Sequence, residues 1–107
     1  MDREFYKHGY EHAEEYSEEQ VMQMLQDRDP DVVHEAMGVI SKRKLSATLQ
    51  SLQDLALYSD DLGLQQEAIL TIRRIGGRKG LDILRFLKTT EHKEMVEFVI
   101  KKGADKW

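Results

Sequence analysis

Apolar residues recur at steps of three and four along most of this chain, the spacing of helical faces and not of strands. Val32, Val33, Ala36, Met37, Val39 and Ile40 mark one such face, and Leu49, Leu52, Leu55 and Ala56 a second. Leu64, Ala68, Ile69, Ile72 and Ile75 mark a third, Leu81, Leu84 and Leu87 a fourth, and Met95, Val96, Val99 and Ile100 a fifth. Residues 17–27 predict a further helix, opened by Ser17 and Gln20 in capping-box spacing. Residues 2–15 predict a weaker one, because Gly9 interrupts it. The expectation is about seven helices joined by short loops.

The punctuation between these faces is regular. Asp29 before Pro30 reads as an N-cap followed by proline at the first helical position. Lys42, Arg43 and Lys44 close that helix with charges suited to its negative end. Ser46 is the expected cap of the next helix, and Asp60 and Asp61 begin the one after. Gly76-Gly77 is expected to stop it with a left-handed C-cap. A last helix is expected from Glu91 to Lys102, ended by Gly103.

The pattern also repeats. Asp29, Glu35-Ala36 and Ile40 return about 32 residues later as Asp61, Glu67-Ala68 and Ile72. Leu49, Leu52 and Leu55 return as Leu81, Leu84 and Leu87, and Leu25 as Leu57. The matches fall on caps and core-facing positions, as expected of stacked helical units.

These residues resemble a short HEAT-like repeat of the type found in phycobilisome-lyase-like proteins, over roughly residues 20–102. Asp29-Pro30-Asp31-Val32, Ala36 and Ile40 match the first helix of one unit, and Leu49, Leu52 and Leu55 its second. Leu64, Ala68 and Ile72, with Gly76-Gly77 and Leu81, Leu84 and Leu87, match the next, and Val96 and Ile100 a truncated third. The family's arginine after valine is Val33, Gln65 and Glu97 here, which puts its inter-repeat arginine ladder in doubt. The resemblance implies an all-α fold, a short α-solenoid of antiparallel helix pairs. Residues 1–16 would be an acidic, aromatic capping segment and residues 17–102 the repeats, in one domain. It also implies a scaffold that binds another protein, with DNA or bilin binding in a minority of such proteins.

Length and charge narrow the picture. A chain of 107 residues is one domain, and its lack of cysteine excludes disulfides, thiolate nucleophiles and cysteine-ligated zinc. Cytoplasmic residence is expected, with no membrane span and no bound cofactor. The net charge of −4 is uneven. Residues 1–31 hold ten acids against three bases, and residues 32–107 ten acids against thirteen bases. That asymmetry disfavours a general nucleic-acid binder but leaves room for a local basic patch.

The basic clusters recur at about 30-residue spacing: Lys42, Arg43 and Lys44; Arg73 and Arg74 with Arg78 and Lys79; Lys101 and Lys102. Cations at helix C-termini are ordinary dipole complements. In a stacked array they would also line one edge, a ridge for an acidic partner segment or for phosphates. Nucleic-acid readout would want nearby aromatics, and of Phe86, Phe98 and Trp107 the first two are expected in the core. His8-Gly9-Tyr10-Glu11-His12 spells the inverted zinc-protease motif. A third ligand is needed, Glu91 is remote, and the plain reading is a solvated polar helix. Phe5, Tyr6, Tyr10 and Tyr16 are expected to lay a cap over the first repeat, or else to form a short recognition segment. His34 is expected at the surface. Gly76-Gly77-Arg78-Lys79-Gly80 lacks phosphate-loop spacing and follows no strand, and no Ser/His/Asp set can be assembled.

The function expected is a non-catalytic protein–protein scaffold or adaptor. Nucleic-acid binding along the basic ridge is the alternative, and a bilin-lyase-related accessory role a weaker one. An exposed end of the array offers a route to a homo-oligomer.

Overall fold

The computed structural model describes residues 4–102. The described residues form seven α-helices and no strand: α1 (Glu4–Glu11), α2 (Glu18–Met24), α3 (Pro30–Arg43), α4 (Leu49–Tyr58), α5 (Leu62–Ile75), α6 (Gly77–Leu87) and α7 (Lys93–Lys101). Short 3-10 turns occupy Ala13–Glu15 and Ser46–Thr48. The all-α expectation therefore stands. The expected stop at Gly103 lies outside the described residues, as does Trp107.

Side-chain caps set the starts of α2, α3 and α5. The Ser17 hydroxyl accepts from the Gln20 N–H at 3.0 Å, and the Gln20 side chain accepts from the Ser17 N–H at 3.4 Å, completing the capping box. Asp29 accepts from the Asp31 N–H at 2.9 Å, and Asp61 from the Leu64 N–H at 3.1 Å. The helices these two aspartates cap, α3 and α5, are both 14 residues long. Ser46 does not cap α4. It opens the 3-10 turn instead, and Thr48 ends that turn by donating to the Leu45 carbonyl at 2.8 Å.

The stops differ from expectation in an informative way. Lys44, not a glycine, takes the left-handed C-cap of α3, at φ 52° and ψ 52°. Its Nζ donates to the Arg74 carbonyl at 2.7 Å, which offsets the roughly 1 kcal/mol such a conformation costs an L-residue. Gly76 has φ 68° and ψ −146°, a region only glycine visits readily, and Gly77 at φ 69° already begins α6. The two glycines thus turn the chain in place, where a simple left-handed cap was expected.

The core runs along α5. This helix packs against α3, α4, α6 and α7, so eight of its residues from Leu64 to Thr71 and Ile72 are buried. Met37, Ile40, Leu52, Ile69, Ile72 and Leu87 have no exposed surface. The same encirclement takes polar side chains inside. Gln65 donates to the Ser59 carbonyl at 2.8 Å and Thr71 to the Glu67 carbonyl at 2.7 Å. On α6 the buried seam is Gly80, Leu84 and Leu87, and on α7 it is Val96 and Val99. Leu81, Phe86 and Phe98 fall off these seams and are about half exposed, at 47%, 47% and 51%. Phe86 and Phe98 are therefore surface residues and not core. Each outer helix has neighbours on one side only, and apolar spacing alone could not choose the flank.

The backbones of α1 and α3 approach each other closely. A Cβ added to Gly9 would stand 2.0 Å from the Glu35 carbonyl oxygen, and one added to Gly38 2.0 Å from that of Tyr6. Two glycines thus let one backbone lie directly on the other, and Gly9, expected to interrupt the first helix, is what allows it to dock. The intrinsic helical gain of alanine over glycine, about 1 kcal/mol, cannot offset a clash with unyielding backbone. Gly9→Ala and Gly38→Ala are each expected to lower the free energy of unfolding by about 2–3 kcal/mol in denaturant titrations. Gly77→Ala, with nothing within 4 Å of the new Cβ but a positive φ, should cost only about 1 kcal/mol.

Candidate partner-binding surface

The crossing of α1 over α3 carries Tyr6 into the interior, where it has no exposed surface. Its hydroxyl meets Ser41, lies 3.3 Å from Thr71 Oγ1, and accepts from Arg74 Nη1 at 3.2 Å. Thr71 directs its own proton to the Glu67 carbonyl and Arg74 can only donate, so the phenol proton goes to Ser41 or Thr71. The Arg74 guanidinium also lies over the ring, 5.5 Å from its centroid. Burial raises the Tyr6 pKa above its usual value, partly opposed by the hydroxyl partners and the arginine.

Of the remaining aromatics in this arm, Tyr16 donates to Glu35 at 2.6 Å, Tyr10 lies under Lys42, and Phe5 is 39% exposed. Tyr6 and Tyr16 thus fasten this arm to α3 and α5.

The nine predicted cations divide by where they stand. Arg43, half-buried, donates to the carbonyls of Tyr16 at 2.6 Å and Ala13 at 3.3 Å, holding the turn after α1. Lys44 and Arg74 tie the ends of α3 and α5, and Lys42 stacks on Tyr10 with its Nζ 5.3 Å from the ring centroid. These four are architectural. Arg73, Arg78, Lys79, Lys101 and Lys102 are exposed, and Lys102 lies 5.7 Å from the Phe98 centroid. The ends of α3 and α5 do come together, through Lys44 and Arg74.

Arg78 and Lys79, however, do not sit at a helix C-terminus as expected. They occupy the first turn of α6, where positive charge opposes the helix dipole. The dipole account of the other cations does not cover them.

Lys79 lines a groove of about 470 Å³ between α4 and α6, with Gln50, Gln53, Asp82 and Ile83. A second groove, about 330 Å³, lies between the end of α2 and α4. Gln26, Asp54, Leu55 and Tyr58 line it, and Tyr58 is 76% exposed. Residues of α4 line both grooves. Reading the sequence located neither, although Arg78-Lys79 directly after the Gly76-Gly77 break was a visible sign of cations on the wrong end of a helix.

The repeated glutamates point inward. Glu35 accepts from Tyr16, and Glu67, 1% exposed, lies 3.8 Å from Nδ1 of His34. His34 is consequently not at the surface, its side chain being 12% exposed between α3 and α5. Glu35 thus links α3 to the segment before α2, and Glu67 links α5 to α3. Val33, two positions before Glu35, is simply buried.

His8 and His12 are both exposed, their ring centroids 4.4 Å apart. The structure does not bring Glu91 to them, and among the described residues no group of three or more metal-ligating side chains is assembled. No described helix is long and apolar enough to cross a membrane.

No protein-family model, curated protein or solved structure matches the chain. Its functional reading therefore rests on its own residues.

Two outcomes check this division. Arg43→Ala and Arg74→Ala should each lower stability by about 1–3 kcal/mol, because each leaves interior acceptors without a charged donor. Arg73→Ala and Arg78→Ala should stay within about 0.5 kcal/mol of the parent.

The second outcome concerns Tyr16, whose pKa is pushed up to about 12 by desolvation, by its hydrogen bond to Glu35 and by the charges of Glu35 and Glu15. The folded state holds this proton more tightly than the unfolded chain, where the phenol titrates near 10. Its contribution is complete below pH 10 and is lost as the pH rises toward about 12. Chemical denaturation across that interval should show a shallower alkaline loss for Tyr16→Phe than for the parent.

Proposed function

We propose that the chain is a short stacked helical-repeat scaffold of the HEAT-like kind, non-catalytic, which holds a partner polypeptide against its row of second helices. The stacking is supported by the two 14-residue, aspartate-capped helices and by the neighbour order α1, α3, α5, α7. In this reading α1 and α2 form an additional leading pair, and α7 is the first helix of an incomplete last one. The row α2, α4, α6 is then the recognition face.

The observation that carries the binding reading is Lys79. An exposed cation placed against the α6 dipole costs a few tenths of a kcal/mol to about 1 kcal/mol, and it stabilises nothing inside the fold. It lines the larger groove among side-chain amides, Asp82 and apolar carbons, a surface suited to a polar, partly acidic peptide segment. Tyr58, with an apolar body and a polar tip beside the second groove, is a natural anchor for the same partner.

Photo-crosslinking side chains at Gln53 and Tyr58 should capture the same partner from native extract, and one at Glu14 should not. Lys79→Glu should weaken that capture at least 10-fold without lowering the melting temperature, the loss expected for one interfacial charge pair. Equal capture from all three positions, or capture indifferent to Lys79→Glu, rejects the groove as the binding face.

A nucleic-acid reading keeps one supporting observation: Arg73, Arg78 and Lys79 are exposed near the same turn. It requires binding at low salt that is lost on reversing those three charges. The bilin-related reading rests on resemblance alone and gains no residue from the geometry.

A further inference from the structure

We propose that His8 and His12 form a two-imidazole chelate for a divalent late transition ion of the zinc and nickel class, on the outer face of α1. The residues stand four apart, one helical turn, and the Gly9 crossing fixes the helix that carries them. The opposite face of α1, with Tyr6 and Gly9, is buried, so both imidazoles face solvent. Their ring centroids are 4.4 Å apart with the planes inclined by 31°. Rotation about side-chain torsions alone can bring one nitrogen of each within the usual 2.0–2.1 Å of a common ion.

Three features around the pair favour a cation. The Nδ1 of His12 lies 2.7 Å from Glu15 Oε2. Donation of the Nδ1 proton to that carboxylate leaves Nε2 as a free lone pair, the arrangement by which an outer carboxylate orients a metal-bound histidine. His8 lies in the last turn of α1 and His12 directly follows it, the His12 N–H bonding the His8 carbonyl at 3.0 Å, where the helix dipole is negative. Glu11 and Glu14 are exposed neighbours in sequence that add negative charge to this stretch. Two imidazoles leave the other coordination positions to water, so the site is open, exchangeable and selective for metals that prefer nitrogen donors. It is a binding site and not the peptidase centre that the His-x-x-Glu-His spelling suggests, since no third ligand joins it.

Equilibrium dialysis of nickel and of zinc against the untagged full chain tests this. One ion should bind per chain, with affinity lowered at least 10-fold in His8→Ala and also in His12→Ala. Glu15→Gln should weaken binding about 10-fold while leaving both ligands in place, as outer-shell changes do. His92→Ala should bind as the parent does. Helix content by circular dichroism should be unchanged in all four variants. Nickel should raise the melting temperature of the parent but not of His8→Ala. Binding that survives either histidine change, or that a single imidazole carries alone, overturns the chelate.

Discussion

Everything else in this fold depends on the contact between the backbones of α1 and α3. Two glycines, Gly9 and Gly38, bring carbonyl oxygens to within 2.0 Å of where a methyl group would stand. Contact at that range excludes any side chain from the crossing, and it sets how deeply Tyr6 reaches. Only from that depth does the phenol meet Ser41, Thr71 and Arg74 together, on two different helices. The charged residues of the neighbourhood then follow. Arg74 is held over the ring, Lys42 over Tyr10, and Arg43 against the turn that returns the chain from α1.

This arrangement bears on how charge should be read in a helical protein. A cation at a helix end is usually explained by the dipole, and that account is sufficient for none of Arg43, Lys44 and Arg74. They are fasteners that happen to sit at C-termini, donating to carbonyls or to a phenol of another segment. Lys79 is the converse: it opposes the dipole and faces a groove. A patch inferred by counting basic residues therefore mixes two populations. The structure separates them by what each nitrogen touches.

Much of the architecture was legible from residue spacing. The faces of α3, α4 and α5 bury most of the residues that periodicity selected, with Val32, Leu55 and Ile75 half-buried at their edges, and Ser17, Asp29 and Asp61 cap as their chemistry demands. What was not legible is instructive. Gly9 read as a weakness because the cost of glycine is local, whereas its benefit depends on another glycine 29 positions away. Phe86 and Phe98 read as core because an apolar residue near a seam looks the same whether it lies on it or beside it. Lys44 gave no sign of a left-handed cap, since the carbonyl that rewards it belongs to Arg74. Of the candidate site, the cations were visible one by one, but the grooves arise only between helices.

The Tyr6 cluster also dictates an order of events when the chain is made. Its partners lie 35, 65 and 68 residues downstream. At a synthesis rate of about 5–20 residues per second, α1 waits several seconds before α5 exists to receive it. Until then the ring of Tyr6 and the bare strip of backbone at Gly9 have at most half a binding site, supplied by α3. The helix that docks on α3 early is therefore completed late, when Thr71 and Arg74 arrive. For those seconds the Tyr6 hydroxyl can meet Ser41 alone, and the polar cluster that joins the two ends of the fold stays open.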